Sequence, residues 1–217
     1  MLLRSRLTRS CAAVVSTVAL AGCARDLPDP SSSPTATPSG PSGSRSSTST
    51  PPAHVPSERR WRSDVHRAMT GWRGYLDRRE QAARGDAARA RLAVNLDIDN
   101  TSIATFYDYP AAVPDVLSLA RDAHRRGFAV LVNTARTQGS ALGRQARRQL
   151  TEAGYPVTEI CLRRDGERTV VSKQRCRRHF RDEGYTLVAN VGNNDTDFAG
   201  GGFERAFRLP DYGRRLS

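Results

Sequence analysis

The stretch LAVNLDIDNTSIA, Leu92 to Ala104, begins as an apolar run and ends in a polar segment that holds two aspartates two residues apart. The apolar half has the length and composition of a buried β-strand. A carboxylate at the end of a buried strand is costly unless another group pairs with it. Asp97 and Asp99 therefore either belong to an ordinary polar turn or are held there for chemistry, and polar residues elsewhere in the chain decide between the two.

Short apolar runs alternate with helical segments on both sides of this stretch. Alternation of this kind predicts a parallel sheet with right-handed crossover connections. A glycine falls just after each of three predicted helices, where a left-handed C-terminal cap favours it. We expect an α/β fold with a parallel five-stranded sheet. The predicted strands are RLAVNLD, FAVLVNT, VTEICL, TLVANVG and ERAFRLP, and the predicted helices are about 113–126, 138–153 and 172–183.

Polar residues gather at the carboxyl ends of three of these predicted strands. Asp97 follows the first strand, Thr134 the second, and the segment 192–197 the fourth. In an open α/β sheet, this edge is where ligands bind. Three clusters on one edge argue against the ordinary turn and predict a ligand site.

The two aspartates suggest which ligand the site takes. Neighbouring carboxylates repel each other unless a cation lies between them, and Mg²⁺ is the hard cation that few carboxylates, water and phosphate hold together. Asp97 can then attack phosphorus to form an aspartyl phosphate. Asp99 can protonate the leaving oxygen and later activate water. The pattern therefore predicts phosphoryl-transfer chemistry.

Four motifs in order resemble those of the haloacid dehalogenase (HAD) superfamily of phosphohydrolases. The first, DIDNT, resembles motif I, D-x-D-x-T, and the others are VLVNTAR, VVSKQRC and GNNDTD. The resemblance implies Asp97 as nucleophile, Asp99 as acid and base, and Thr101, Thr134 and Lys173 as phosphate-binding residues. It also implies a magnesium site on Asp97, the Asp99 carbonyl, Asn193 and Asp197. Asn193 stands where motif IV has its first aspartate, so the site has one negative charge fewer.

Within the superfamily, the chain resembles the subfamily IIIB acid phosphatases, which include class C bacterial lipoprotein phosphatases. LDIDNTSIATFYDYP, NVGNNDTDFAGG and FRLPDYG carry this likeness. It implies a magnesium-dependent phosphomonoesterase, often one that acts on nucleotides, on a three-layer HAD-like Rossmannoid fold. The intervals between motifs leave no room for a large cap domain. Phe106, Tyr107 and Tyr109 either stack on a nucleobase at this open site or pack within their own loop.

The N-terminal quarter of the chain has the composition of targeting and linker sequence. Residues 1–22 combine basic residues with a short apolar run, as a secretory signal peptide does. They lead to LAGC, which resembles the bacterial lipobox and predicts lipidation of Cys23. Residues 23–57 are rich in Ser, Pro and Thr and predict a disordered tether. We expect a domain at 58–217 with an N-terminal helix at about 58–84, anchored to the outer face of a bacterial membrane.

Two other functions remain open at this stage. Asn193 favours a silent phosphate- or nucleotide-binding lipoprotein. The charge of +9 that remains when the three arginines of the predicted signal peptide are taken from the formal +12 favours a protein that binds anionic polymers. Aromatic residues are only 6% of the chain and do not interleave with basic ones, so a specific nucleic-acid partner is not expected. Cys161 and Cys176 form either a disulfide bond or two buried thiols.

Overall fold

A computed structural model describes residues 54–85 and 91–216, which lie within one unit of the chain. The predicted signal peptide, Cys23 and nearly all of the predicted tether lie outside these residues. No helix in the described part is both long enough and apolar enough to cross a membrane.

Five parallel strands form a single sheet in the order β3-β2-β1-β4-β5, which confirms the predicted α/β fold. The chain moves to one side of the central strand through β2 and β3, and to the other side through β4 and β5. The crevice beyond the carboxyl ends of β1 and β4 is therefore the topological switch point, where such sheets bind ligands. The strands are β1 (Leu92–Leu96), β2 (Ala129–Thr137), β3 (Glu159–Arg163), β4 (Thr186–Gly192) and β5 (Arg205–Arg208).

Helices cover both faces of the sheet and make a three-layer structure. Side chains alternate between the faces along a strand, so Val94 and Leu96 join a larger core while Ala93 joins a smaller one. Four helices pack on the larger core, and a single described helix, α5, packs on the smaller one. The helices are α1 (Glu58–Ala68), α2 (Trp72–Ala82), α3 (Pro114–Arg125), α4 (Ala141–Glu152) and α5 (Thr169–Asp182).

The N-terminal segment predicted as one helix at 58–84 forms two helices. Gly71 lies between them with a φ of +80°, a left-handed conformation that a continuous helix does not contain. Ser57 caps α1 by accepting a hydrogen bond from the Arg60 N–H. The apolar residues of the predicted helix face are all buried despite the break: Trp61, Val65, Met69, Trp72 and Leu76.

Two boundaries next to the predicted site differ from expectation. Strand β2 continues three residues beyond Thr134, because Thr137 still pairs with Arg163 of β3 after a shift in register. Ser140 is the N-cap of α4, which follows this strand. Helix α5 begins at Thr169, so Lys173 lies in its second turn instead of opening the helix.

Cys161 of β3 and Cys176 of α5 form a disulfide bond, which decides between the two states left open by the sequence. Cys176 lies three residues after Lys173 on the same helix. The helix that carries this lysine is therefore covalently fixed to the edge of the sheet.

Candidate active site

Asp97 lies at the switch point, one residue after β1. Its N–H donates to the Val191 carbonyl of β4 at 3.0 Å, which extends the pairing of β1 and β4 by one residue. The side chain is buried, and its Oδ1 lies 2.5 Å from the Lys173 Nζ. The strand thus presents a carboxylate at the bottom of a pocket, already paired with a cation.

Lys173 connects three oxygens of three different elements. Its Nζ lies 2.5 Å from Asp97 Oδ1, 2.6 Å from Asp197 Oδ1 and 2.6 Å from the Asn133 carbonyl. The Asn133 side-chain amide donates to the Lys173 carbonyl at 2.9 Å, so Asn133 of β2 contacts both the side chain and the backbone of Lys173. Burial opposes the charge of the lysine, yet Asp197 and Asp97 raise the pKa of Lys173 above its usual value. The side chain is a fixed buried cation.

One lysine does not balance the negative charge around Asp97. Burial, and the charges of Asp197 and Asp99, raise the pKa of Asp97 to about 7, although Lys173 acts in the opposite direction. An additional positive charge next to this carboxylate is therefore favourable.

Asp99 faces a partner of its own. The Arg136 guanidinium donates to both of its oxygens, at 3.0 and 2.7 Å, and the Thr105 hydroxyl donates to it at 2.9 Å. Although burial raises the pKa of Asp99, these hydrogen bonds and the charge of Arg136 hold it below its usual value. Arg136 also donates to Gln149 of α4, whose amide contacts the Tyr109 hydroxyl. The second aspartate is thus held as a charged group by Arg136 and Thr105.

Motif IV forms a tight turn after β4. Both oxygens of Asp197 are engaged: Oδ1 pairs with Lys173, and Oδ2 accepts the N–H groups of Asn193 at 3.1 Å and Asn194 at 2.9 Å. A Cβ on Gly192 would lie 2.5 Å from the Asp197 Cβ, so only glycine fits at that position. Asp197 therefore acts on Lys173 and on its own turn.

Asn193 approaches motif I through its side chain. The Thr101 hydroxyl donates to Asn193 Oδ1 at 3.3 Å, and both residues are buried. Thr134 is fully buried as well, and its Oγ1 accepts the Arg136 N–H at 3.2 Å. Neither threonine lines the cavity described next. Their predicted phosphate-binding roles stay predictions.

A cavity of about 260 Å³ lies above these residues. It brings together five predicted site residues, and its walls also include Thr169 and a segment near the end of the chain. The five predicted residues are Asp97, Asp99, Lys173, Asn193 and Asp197.

The oxygen atoms that line this cavity suit weak binding of a hard cation. No described cluster of three or more His, Cys, Asp or Glu side chains is arranged to hold a metal ion. Asp97 and Asp197 share the single positive charge of Lys173, and the Asn193 amide supplies a neutral oxygen. Mg²⁺ accepts such oxygen donors together with water and phosphate. The residues fit a weak magnesium site completed by substrate.

Several residues that position the site did not stand out in the sequence. The Asn95 amide donates to Asn190 at 2.5 Å across β1 and β4, and the Asn190 amide donates to the Asp197 carbonyl at 3.1 Å. The buried guanidinium of Arg177 donates to the carbonyls of Asp197, Ala199 and Gly201. A visible signal existed: each of the three central strands carries one asparagine inside an apolar run.

The aromatic residues after motif I divide into two groups. Tyr107 stacks on Trp61 at 4.9 Å, and its hydroxyl donates to the Pro56 carbonyl at 2.7 Å. It packs the loop against α1, as one of the two sequence interpretations expected. Phe106 and Tyr109 are each about half exposed, and neither lines the cavity.

The structure thus places a carboxylate and a buried lysine together at the switch point of a parallel α/β sheet. The family model of the HAD superfamily, subfamily IIIB (acid phosphatase), matches residues 108–215, from just after motif I almost to the last residue. No curated protein matches the chain. The chain belongs to the HAD superfamily, subfamily IIIB, and is accordingly a hydrolase that acts on phosphoric monoesters.

Proposed function

We propose that this hydrolase is a magnesium-dependent phosphomonoesterase that works through an aspartyl phosphate on Asp97. The observation that carries the proposal is the pairing of Lys173 with both Asp97 and Asp197 at the switch point. A carboxylate held by a fixed cation, at the floor of an open cavity, is oriented to attack a phosphorus atom above it.

The proposed reaction uses residues of three motifs. Asp97 forms a bond to phosphorus as the bond to the leaving oxygen breaks, and Asp99 supplies a proton to that oxygen. Asp99 then takes a proton from the water that attacks the phosphorylated Asp97, and phosphate leaves. Bound Mg²⁺, held by Asp97 and Asn193, would supply positive charge to the phosphoryl oxygens. Because Arg136 holds the pKa of Asp99 below its usual value, Asp99 must take up a proton before it can donate one to the leaving oxygen. The protonated fraction of Asp99 rises as the pH falls, which suits an acid phosphatase.

Hydrolysis of p-nitrophenyl phosphate and of nucleoside monophosphates between pH 4 and 8 tests this function. We expect phosphate release in the presence of Mg²⁺ and its loss with a chelator. Failure to release phosphate from any of these esters over the whole range would contradict the proposal.

The neutral Asn193 supports a second candidate, a protein that binds phosphate or nucleotides without turnover. Asn193→Asp separates the two. A carboxylate here should lower the Mg²⁺ concentration for half-maximal rate by about tenfold, since ligand charge sets affinity for a hard cation. It should also lower the melting temperature of the metal-free protein, because it adds a carboxylate beside Asp97.

Calorimetric Mg²⁺ binding and melting curves with and without metal, run beside the activity assay, measure both effects. Gln145→Glu on α4 makes the same amide-to-acid change outside this cavity and serves as the control. Tighter Mg²⁺ binding without any turnover would favour the silent binder.

We propose further that the enzyme is a lipoprotein on the outer face of a bacterial membrane, anchored through Cys23. The apolar segment before LAGC and the Ser/Pro/Thr-rich stretch after it support this placement. Cys23→Ser is expected to move the protein from the membrane fraction to the soluble fraction after expression in a bacterium that processes lipoproteins. An unchanged distribution between these fractions would rule out the Cys23 anchor.

A further inference from the structure

The segment after β5 runs back along the carboxyl edge of the sheet and is fixed at both ends. The Leu209 N–H donates to the carbonyl of Gly192, the first residue of motif IV, at 2.8 Å. At the other end Leu216 is buried, and its carbonyl accepts the Asn100 amide at 2.5 Å. The residues between these points are held beside the catalytic cavity.

Asn100 is the residue that fastens this segment to motif I. It lies between Asp99 and Thr101 with a φ of +54°, a conformation that asparagine tolerates better than most residues. Its side chain donates to the Leu216 carbonyl and accepts the Phe106 N–H at 2.8 Å. The turn that presents the two aspartates therefore also sets the position of the chain end.

Arg214 belongs to the wall between two cavities. One is the catalytic cavity, and the other is an adjoining cavity of about 580 Å³ lined by α1, the motif IV turn and the segment 208–214. Only Asn193 and Arg214 line both. A phosphoryl group above Asp97 would place its leaving group towards one of the cavity walls, and the adjoining cavity offers room for it.

Among the described basic residues that line these two cavities, Arg214 is the one without an ion-pair partner. Lys173 is matched by two carboxylates, and Arg208 lies 2.7 Å from Asp195. No described carboxylate forms an ion pair with Arg214, and its side chain is exposed to solvent.

The acidic residues of the adjoining cavity are engaged to different degrees. Asp64 pairs with Arg60 at 3.0 Å and accepts the Tyr212 hydroxyl at 2.8 Å, and Asp211 accepts the Gly213 N–H at 3.1 Å. Together with Asp195 they would repel a doubly charged phosphate more strongly than a singly charged carboxylate. The guanidinium fork of Arg214 matches a carboxylate in shape and charge.

We propose that Arg214 binds a carboxylate on the leaving alcohol of the substrate, so that the enzyme prefers phosphomonoesters of hydroxy acids over those of neutral alcohols. The inference rests on the proposed function of the site and names the substrate class that this site takes.

The test compares two esters that differ only at this group: 3-phosphoglycerate, with a carboxylate, and glycerol 3-phosphate, with a hydroxymethyl group. The native enzyme should show about a tenfold higher kcat/KM for 3-phosphoglycerate, as expected for a charge-assisted hydrogen bond. Arg214→Gln should remove this preference through KM, with a loss of about tenfold in kcat/KM for 3-phosphoglycerate and a much smaller loss for glycerol 3-phosphate. Arg214→Lys keeps the positive charge but lacks the forked guanidinium, so it should retain part of the preference for 3-phosphoglycerate.

Arg178→Gln, the same change on the exposed side of α5, is the control and should keep the native preference. Equal kcat/KM values of the native enzyme for the two esters would overturn the inference. An equal loss on both esters in Arg214→Gln would overturn it too, because Arg214 would then act on the shared phosphoryl group or on the fold. Absence of turnover on p-nitrophenyl phosphate would instead refute the proposed function, which keeps the two failures distinct.

Discussion

Asp97→Asn is expected to lower phosphomonoester hydrolysis by more than about 10³-fold, since loss of a nucleophile removes the covalent route itself. The asparagine has nearly the same shape and can still accept a hydrogen bond from Lys173. Substrate binding and folding should therefore survive, and the loss should appear in kcat. Steady-state kinetics together with a thermal melt measure the two properties separately.

Asp182→Asn, at the exposed end of α5, makes the same chemical change away from the cavity and should leave the rate unaltered. An Asp97→Asn enzyme that retained a tenth of the native rate would show that another group attacks phosphorus.

Lys173→Met is expected to destabilise the fold by about 3–5 kcal/mol and to abolish activity. The change leaves Asp97 and Asp197 buried beside each other without their shared cation, and breaking a buried ion pair from one side costs about this much. Urea unfolding at neutral pH measures the free energy of unfolding. The double variant Lys173→Met/Asp97→Asn should recover part of the lost stability, because it removes one of the two unpaired charges.

Lys173→Arg tests whether charge alone is enough. The Lys173 ammonium fits among three oxygens at 2.5 to 2.6 Å, and a planar guanidinium does not fit the same space. We expect this variant to be inactive despite its positive charge. Near-native rate and stability in Lys173→Arg would contradict the fixed role given to the ammonium.

The main features of the fold could be predicted from the sequence because each depends on a local pattern of residues. The strand that ends at Leu96 is apolar except for Asn95, and glycines mark the helix ends at 127, 154 and 184, all with positive φ. The end of β2 could not be predicted from its own residues, because its last residues are held by pairing with β3. The break at Gly71 was visible as a glycine, but only the φ of that residue separates a break from a tolerated glycine.

The site residues that belong to a motif were predicted from the sequence. The contacts that these residues make with side chains from other parts of the chain were not. Asp97, Lys173 and Asp197 are separated by up to 100 residues and still meet around one ammonium group. The ion pair of Asp99 with Arg136 depends on how β2 extends beyond Thr134, which the sequence did not indicate. A single lysine in the whole chain, against 33 arginines, is a stronger signal for Lys173 than its motif alone.

The chain end contributes the least predictable part of the site. Nothing in FRLPDYG indicates that Asn100 of motif I binds the Leu216 carbonyl, since that contact spans more than a hundred residues. Once the contact is known, the position of Arg214 beside Asn193 follows from it.

Hydrolysis of p-nitrophenyl phosphate by the purified protein tests whether Asp97 is the nucleophile of a magnesium-dependent phosphatase. Mg²⁺ is titrated from micromolar to tens of millimolar, beside Asp97→Asn under the same conditions. We expect saturable, Mg²⁺-dependent release of p-nitrophenol that requires millimolar metal, as Asn193 implies, and that disappears in the variant. No release at any Mg²⁺ concentration, from a folded protein that still binds phosphate, would contradict this expectation and leave a binding protein in place of an enzyme.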